Sequence, residues 1–101
     1  MSLTTDPSDP RLGRGVDKAP GSQHHVYLVL SEEERAKGFV RPYRDAYRHD
    51  TCGTVTTMAR ELSETYARAP HFYGATYCCQ CRMHKPVAEF TWIADGDRVG
   101  S

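Results

Sequence analysis

The sequence predicts a small α+β domain with one main helix, one short helix and an antiparallel hairpin. Runs of β-branched and aromatic residues predict the strands, and an apolar stripe at helical spacing in residues 55–66 predicts the main helix. His and Cys residues also occur as two close pairs far apart in the chain, which is typical of a metal site. At 101 residues the chain provides one domain. Domains of this size are often stabilised by metals or disulfides.

The first 23 residues are rich in Asp, Pro, Gly and Ser and contain few large apolar side chains. Such a segment buries too little apolar surface to offset the entropy lost on ordering, so residues 1–23 are predicted to be a flexible tail. An arm that becomes ordered on a partner is the alternative. We place the domain at residues 24–95 and expect residues 96–101 to fray. His24 and His25 could form an extra metal pair, or simply join the tail to the first strand.

The first strand is predicted at residues 25–30, whose sequence HVYLVL is β-branched, aromatic and apolar. A short helix of about two turns follows, because Ser31 and Glu34 form a capping box and Gly38 can end the helix. Residues 43–48 are predicted to form an edge strand, since Pro42 just before them cannot donate a ladder hydrogen bond.

The main helix is predicted to begin near Val55 and to end before Pro70, which cannot continue it. Its apolar stripe consists of Val55, Met58, Ala59, Leu62 and Tyr66. Thr54 or Thr56 could cap its first turn. Residues 71–78 and 87–92 read as strands that flank the sequence CCQCRMHKP, and we expect them to pair as an antiparallel hairpin.

The two close pairs follow the pattern H-x2-C-x25-C-x2-C, formed by His49, Cys52, Cys78 and Cys81. Thiolate and imidazole groups in fours are the ligands of structural zinc, so we predict one structural Zn²⁺ ion. Gly53 tolerates the positive φ that such turns often need. We also expect Cys52 to lie near the amino terminus of the main helix, where the helix dipole favours a thiolate.

Neighbouring residues leave the ligand set open, because Cys79 or His84 could replace one of these ligands. Cys78 and Cys81 have the more usual spacing. Disulfides are disfavoured, since the amino terminus has no signal-peptide pattern and the cytoplasm that we therefore expect is reducing. Adjacent cysteines such as Cys78 and Cys79 also rarely reach disulfide geometry.

Four protein ligands would close the metal site, which predicts a chain that is not an enzyme. A zinc-dependent hydrolase is the third hypothesis. If His49 were not a ligand, the ion would keep a position for water, and Glu89 or His84 could act as the base. Base-modifying zinc deaminases carry an H-x-E motif before their C-x2-C pair, and this sequence has none there. The leading hypothesis is a non-enzymatic binding module.

Cations interleaved with aromatic residues predict a surface that binds a partner or, alternatively, nucleic acid directly, because cations contact phosphates and rings stack on bases. The candidate residues are Arg41, Tyr43, Arg44, Tyr47, Arg48, Arg82 and Lys85. The arginines could instead neutralise a zinc ion bound by three thiolates, and the tyrosines could be core residues. The net charge of zero gives no general attraction to nucleic acid or to an anionic membrane.

The stretch CGTVTTMARELSETYARAPHFYGATYCCQCRMHKPVAEFTW resembles small zinc-ribbon-like proteins of phage and prophage genomes, and the likeness extends back through LSEEERAKGFVRPYR. The resemblance implies the ligand pairs His49/Cys52 and Cys78/Cys81. It also implies a phage accessory protein in the cytoplasm of a bacterial host, which engages a host protein or protein–nucleic-acid complex and inhibits host defence or transcription machinery. The half-sites are also similar to a permuted treble-clef finger, in which one pair opens a helix and the other lies on a hairpin.

Overall fold

The computed structural model describes residues 2–12, 16–21, 23–24 and 26–101. Within these residues the fold is α+β, as predicted. In chain order its elements are β1 (Ser2–Thr4), β2 (Val26–Leu28), α1 (Glu32–Arg35), β3 (Ala46–His49), β4 (Val55–Thr57), α2 (Arg60–Arg68), β5 (Ala75–Cys78), β6 (Met83–Pro86), a 3-10 turn (Val87–Glu89) and β7 (Phe90–Trp92). No helix in this part of the chain has the length and apolar character needed to cross a membrane.

Two antiparallel sheets form the body of the domain. The first has the strand order β4-β3-β7, and the second is the β5–β6 hairpin. Strand β3 is therefore central, whereas residues 43–48 were predicted to form an edge strand. Pro42 precedes β3 and so removes no hydrogen bond from it. Tyr47 pairs with Thr56 on one side and with Trp92 on the other.

The main helix begins at Arg60, later than predicted, because residues 55–57 form strand β4 instead. Val55 and Thr56 pair with β3, which satisfies their backbone groups without a helical turn. Val55 is 47% exposed and does not belong to the buried face of the helix. Ala59, and neither Thr54 nor Thr56, occupies the N-cap position. The buried face itself, with Leu62 and Tyr66, is as predicted.

The predicted hairpin partner is also wrong. Residues 75–78 pair with residues 83–86, and not with 87–92. The C-x2-C turn is short enough to close a tight hairpin immediately, after which the 3-10 turn leads the chain away to β7. Strand β7 then pairs with β3, so the chain passes directly from the second sheet to the first.

The short helix forms where predicted, although it has a single turn of four residues. The Ser31 hydroxyl accepts a hydrogen bond from the Glu34 backbone N–H at 3.2 Å, which confirms the N-cap. Gly38, just beyond the helix, has a φ of +111° that favours glycine. His25, the first residue of the predicted strand, lies outside the described residues.

Aromatic side chains from the first sheet and α2 form the core. Its buried members are Tyr47, Tyr66, Cys78, Phe90, Trp92 and Val99. Tyr47 meets both Phe90 and Trp92 edge-on, with ring centroids 5.3 and 6.1 Å apart. Val99 is buried, and its N–H donates to the Phe90 carbonyl at 3.1 Å. Val99 therefore contributes to the core, although Gly96, Asp97, Arg98 and Ser101 are exposed, and the fraying of residues 96–101 stays a prediction.

Main-chain contacts join the described residues of the leading segment (residues 1–23) to the rest of the fold. Residues 2–4 pair in parallel with 26–28. The Asp17 N–H donates to the His84 carbonyl at 2.9 Å, and the Gly21 N–H donates to the Arg82 carbonyl at 2.6 Å. These contacts are made by a segment in which we expected no regular structure. The flexibility of residues 1–23 and the domain boundary at residue 24 stay predictions.

Candidate metal centre

Two hairpin turns face each other at the candidate metal centre. The β3–β4 connection provides His49 and Cys52, and the β5–β6 turn provides Cys78 and Cys81. One ligand atom from each of these four residues lies within 4.8 Å of the others. The structure thus brings together all four predicted ligands, and the group could hold a metal ion.

The first turn is built around Gly53. Its N–H donates to the His49 carbonyl at 2.7 Å, and its φ of +75° is one that side-chain-bearing residues rarely adopt. Cys52 therefore lies in a tight turn between two strands. Because β4 separates this turn from α2, Cys52 is not at the helix amino terminus and the predicted effect of the helix dipole does not apply.

In the second turn, a backbone N–H group donates a hydrogen bond to a cysteine sulfur of the same turn. The Cys81 N–H donates to Cys78 Sγ at 3.4 Å, and the Arg82 N–H donates to the Cys78 carbonyl at 2.8 Å. Arg82 has a φ of +56°, which lets the chain reverse into β6. The turn therefore holds Cys78 and Cys81 close together.

The sulfurs and the imidazole nitrogen lie in contact without a covalent bond between them. Cys52 Sγ is 3.5 Å from Cys78 Sγ, and Cys81 Sγ is 3.4 Å from His49 Nδ1. A disulfide bond is about 2.05 Å long, so the Cys52–Cys78 separation is that of two free thiols. The contacts cross from one turn to the other, and the group is therefore assembled by the fold.

His49 is fixed with one ring nitrogen toward the cysteines. The side chain is 1% exposed, its ring stacks on Phe90 at 4.7 Å, and its Nε2 lies 2.9 Å from Glu89 Oε1. An Nε2–H that donates to the Glu89 carboxylate leaves the Nδ1 lone pair for a metal ion. Metal-bound histidines commonly hold their other nitrogen against a carboxylate in this way.

Glu89 was considered from the sequence only as a hydrolytic base. Its partnership with His49 was missed, because the two residues lie forty positions apart and only the β3–β7 pairing brings them together. That pairing sets His49 opposite Phe90, the residue after Glu89. No local spacing in the sequence signals the contact.

Cys52 and Cys81 have pKa values shifted in opposite directions. Partial burial raises the pKa of Cys52, but hydrogen bonds from the Thr54 backbone and with Cys78 and His49 outweigh it, and the pKa is lowered to about 6. Burial, followed by the proximity of Cys78 and Cys52, raises the pKa of Cys81 to about 11. One thiolate thus opposes the ionisation of the next, and a bound cation would relieve that repulsion.

The alternative ligands have other partners. Cys79 Sγ accepts a hydrogen bond from the Thr56 hydroxyl at 3.3 Å, and its side chain is exposed beside β4. His84 Nδ1 lies 2.7 Å from Asp17 Oδ2. Neither residue belongs to the group formed by His49 and the three cysteines. The geometry therefore favours Cys78 and Cys81 over both alternatives.

Two residues of the predicted binding surface are buried. Arg44 is 3% exposed and lies with its guanidinium 4.9 Å over the Trp92 ring, with Asp95 and Asp97 each 3.2 Å from its Nη1. Tyr47 is 2% exposed and belongs to the core. Neither side chain can therefore contact a partner, and the predicted surface is corrected at these two positions.

The remaining candidates are at least partly accessible. They are Arg41, Tyr43, Arg48, Arg82 and Lys85. They divide between the segment before β3, β3 itself and the β5–β6 hairpin. Arg48 Nη2 lies 3.8 Å from Asp50 Oδ1, so part of its charge already faces an acidic group.

Comparison with known proteins provides no identification. No family model, curated protein or solved structure matches the chain. The likeness to phage zinc-ribbon-like proteins therefore stays a prediction.

Replacement of Glu89 by alanine is expected to lower the zinc affinity of the centre by about tenfold or more, because the carboxylate contacts the other ring nitrogen of His49 and so orients the ring. Competition with a chromophoric chelator measures the change. Glu33→Ala, which removes an exposed carboxylate from α1, is the matched control and should leave the affinity unchanged. Equal affinities for Glu89→Ala and the wild type would remove Glu89 from the account of the site.

Proposed function

We propose that the chain is a non-enzymatic binding module whose fold is held by one structural zinc ion bound to His49, Cys52, Cys78 and Cys81. The observation that carries the proposal is the spacing of the donor atoms. Zn–S bonds of about 2.3 Å and Zn–N bonds of about 2.0–2.1 Å in a tetrahedron separate two sulfurs by about 3.8 Å and a sulfur from a nitrogen by about 3.6 Å. The separations of 3.5 and 3.4 Å are within a few tenths of these values.

The donor set supports a structural role over a catalytic one. Three thiolates and one imidazole would fill the tetrahedron, whereas a catalytic zinc keeps a position for water. Glu89, the base considered for a hydrolase, lies against His49 Nε2. His84, the other candidate base, belongs to a separate group with Asp17. A zinc-dependent hydrolase is therefore disfavoured.

The position of the ligand pairs supports a zinc-ribbon type of domain. Each pair lies on the turn of a hairpin, β3–β4 for the first and β5–β6 for the second. A treble-clef arrangement would need one pair to open a helix, and α2 begins only after β4. The ion would join the two hairpins, whose strands belong to different sheets.

The proposed partner is a protein of a bacterial host, in keeping with a phage accessory role. Exposed apolar side chains support a protein partner, since Phe39, Val40 and Tyr43 are each more than 40% exposed in the segment before β3. Direct binding to nucleic acid loses support, because Arg44 and Tyr47 are buried. We accordingly place the contact on residues 39–43 and not on Arg44 or Arg48.

Pull-downs from bacterial lysate test this function. Zinc-loaded wild-type protein should retain a specific host protein, and a Phe39→Ser/Val40→Ser double variant should lose it, because the apolar contact is removed. Ile93→Ser, an exposed apolar residue at a different position, is the control and should retain the same protein.

Nuclease treatment and salt distinguish the alternatives. Retention of the host protein after nuclease treatment supports the proposal. If binding disappears with nuclease, and the purified chain binds DNA or RNA with an affinity that falls steeply with salt, direct nucleic-acid binding replaces it. Equal retention by the double variant would contradict the placement on residues 39–43.

A further inference from the structure

A second group of metal-ligating side chains lies where the leading segment meets strand β6. It consists of Asp17, His24 and His84, each with one ligand atom within 4.8 Å of the others. We propose that these residues form a second metal site, which binds a divalent transition-metal ion such as Zn²⁺, Co²⁺ or Ni²⁺ more weakly and more reversibly than the site of three cysteines and His49. A His24–His25 pair was considered from the sequence; His25 lies outside the described residues, and His84 takes its place in the group.

The Asp17 carboxylate lies between the two imidazoles. Its Oδ2 is 2.7 Å from His84 Nδ1, and its Oδ1 is 4.0 Å from His24 Nε2. Two imidazoles and a carboxylate are ligands that Zn²⁺, Co²⁺ and Ni²⁺ accept, and three protein ligands leave the remaining positions to water. The donor set contains no thiolate, so a lower affinity than that of the first site is expected.

A hydroxyl group holds the His84 ring in an orientation suited to metal binding. His84 is 3% exposed, and its Nε2 lies 2.8 Å from the Tyr27 hydroxyl oxygen. Without metal, Nδ1–H donates to Asp17 and Nε2 accepts from Tyr27. With metal at Nδ1, the ring takes its other tautomer and Nε2–H donates to the same oxygen. A phenol can donate or accept, so Tyr27 satisfies both tautomers without moving.

The His24 ring is the part that has to move. It stacks on His84 with centroids 3.9 Å apart and planes 13° from parallel, which directs the two lone pairs side by side and not toward one point. His24 is about three-quarters buried at its side chain and belongs to the connection that precedes β2, so a rotation of its ring can bring Nε2 toward the carboxylate. The free energy of this rotation also lowers the affinity.

Metal binding at this site would tie the leading segment to the second hairpin. Asp17 comes from the leading segment, His24 from the connection that precedes β2, and His84 from β6. Main-chain hydrogen bonds already join Asp17 to His84 and Gly21 to Arg82. An ion bound to all three side chains stabilises the docked segment, because it binds this arrangement and not the undocked chain.

The test is a calorimetric and spectroscopic titration of the protein already loaded with one equivalent of Zn²⁺. Added Co²⁺ should bind as a further equivalent, with weak visible bands and without the strong near-ultraviolet thiolate absorption that Co²⁺ at the cysteine site would give. The different absorption separates this site from the first, so the failure of one proposal is distinguishable from the failure of the other.

The test uses variants of the two partly accessible ligands, Asp17 and His24, so that unfolding does not confuse the result. Asp17→Asn and His24→Ala should each weaken the second equivalent by at least tenfold and leave the first in place. His71→Ala, which removes an exposed histidine elsewhere, is the matched control and should change neither. Hydrogen exchange at the amides of Asp17 and Gly21 should slow when Co²⁺ is added. The absence of a second equivalent, or a second equivalent that survives both variants, would overturn the proposal.

Discussion

Cys81→Ala is expected to abolish zinc binding and to unfold the domain. Structural zinc in zinc-finger peptides contributes about 10–16 kcal/mol at pH 7, and a whole small domain is stable by about 5–15 kcal/mol. Because the loss of one of four ligands abolishes zinc binding, the domain loses more free energy than its whole stability. The protein core alone is small, since the domain has short strands and a helix α2 of only nine residues.

Cys79→Ala provides the matched control for this prediction. Cys79 lies two residues from Cys81 in the same turn, but its thiol is exposed and contacts Thr56. Metal analysis and thermal unfolding by circular dichroism should give one zinc and an unchanged transition for Cys79→Ala, and no zinc and no cooperative transition for Cys81→Ala. A Cys81→Ala protein with full thermal stability would contradict the structural role. Loss of zinc in Cys79→Ala alone would show that the ligand set is different.

Phe90→Ala is expected to lower the free energy of unfolding by about 3–5 kcal/mol. Phe90 is completely buried in β7, where it contacts Tyr47 edge-on. The cavity left by its ring cannot collapse easily, because β7 is paired to the central strand β3. The same ring stacks on His49, so the variant should also bind zinc more weakly.

Urea denaturation with zinc in excess measures the stability effect. Ile93→Ala removes a large side chain that is 47% exposed just after β7, and a change within about 0.5 kcal/mol is expected for it. Phe90→Leu preserves most of the volume and should lie between the two. A loss below about 1 kcal/mol for Phe90→Ala would mean that this part of the core does not support the metal centre.

The four residues of the candidate metal centre could be predicted because their signal is local. Each pair, His49 with Cys52 and Cys78 with Cys81, has a spacing that lets one tight turn direct both side chains inward. The cap of α1 is local in the same sense, since Ser31 and Glu34 lie three residues apart. Such features depend only on neighbouring residues, and they form however the rest of the chain is arranged.

The start of the main helix and the hairpin partner could not be predicted, because tertiary pairing overrides local patterns there. Val55 fits the helical stripe, yet its backbone hydrogen bonds go to β3. Strand β7 alternates as expected and still pairs with β3, far away in sequence. Periodicity gives the type of an element, and it gives no information about its partner.

The burial of Arg44 and of Val99 was missed for a related reason. Arg44 is buried because Trp92, Asp95 and Asp97 surround it, some fifty residues later in the chain. Val99 occurs in a stretch of polar residues and glycines, and a single apolar side chain does not predict burial. Composition alone thus predicted exposure at Arg44 and gave no sign that Val99 is buried.

X-ray absorption spectroscopy of zinc in the purified, untagged protein determines whether the four residues bind one metal ion. We expect one zinc per chain with three sulfur ligands at about 2.3 Å and one imidazole nitrogen at about 2.0 Å. A protein without bound metal, or a zinc whose shell contains a water oxygen in place of the imidazole, would show that the proposed centre is wrong.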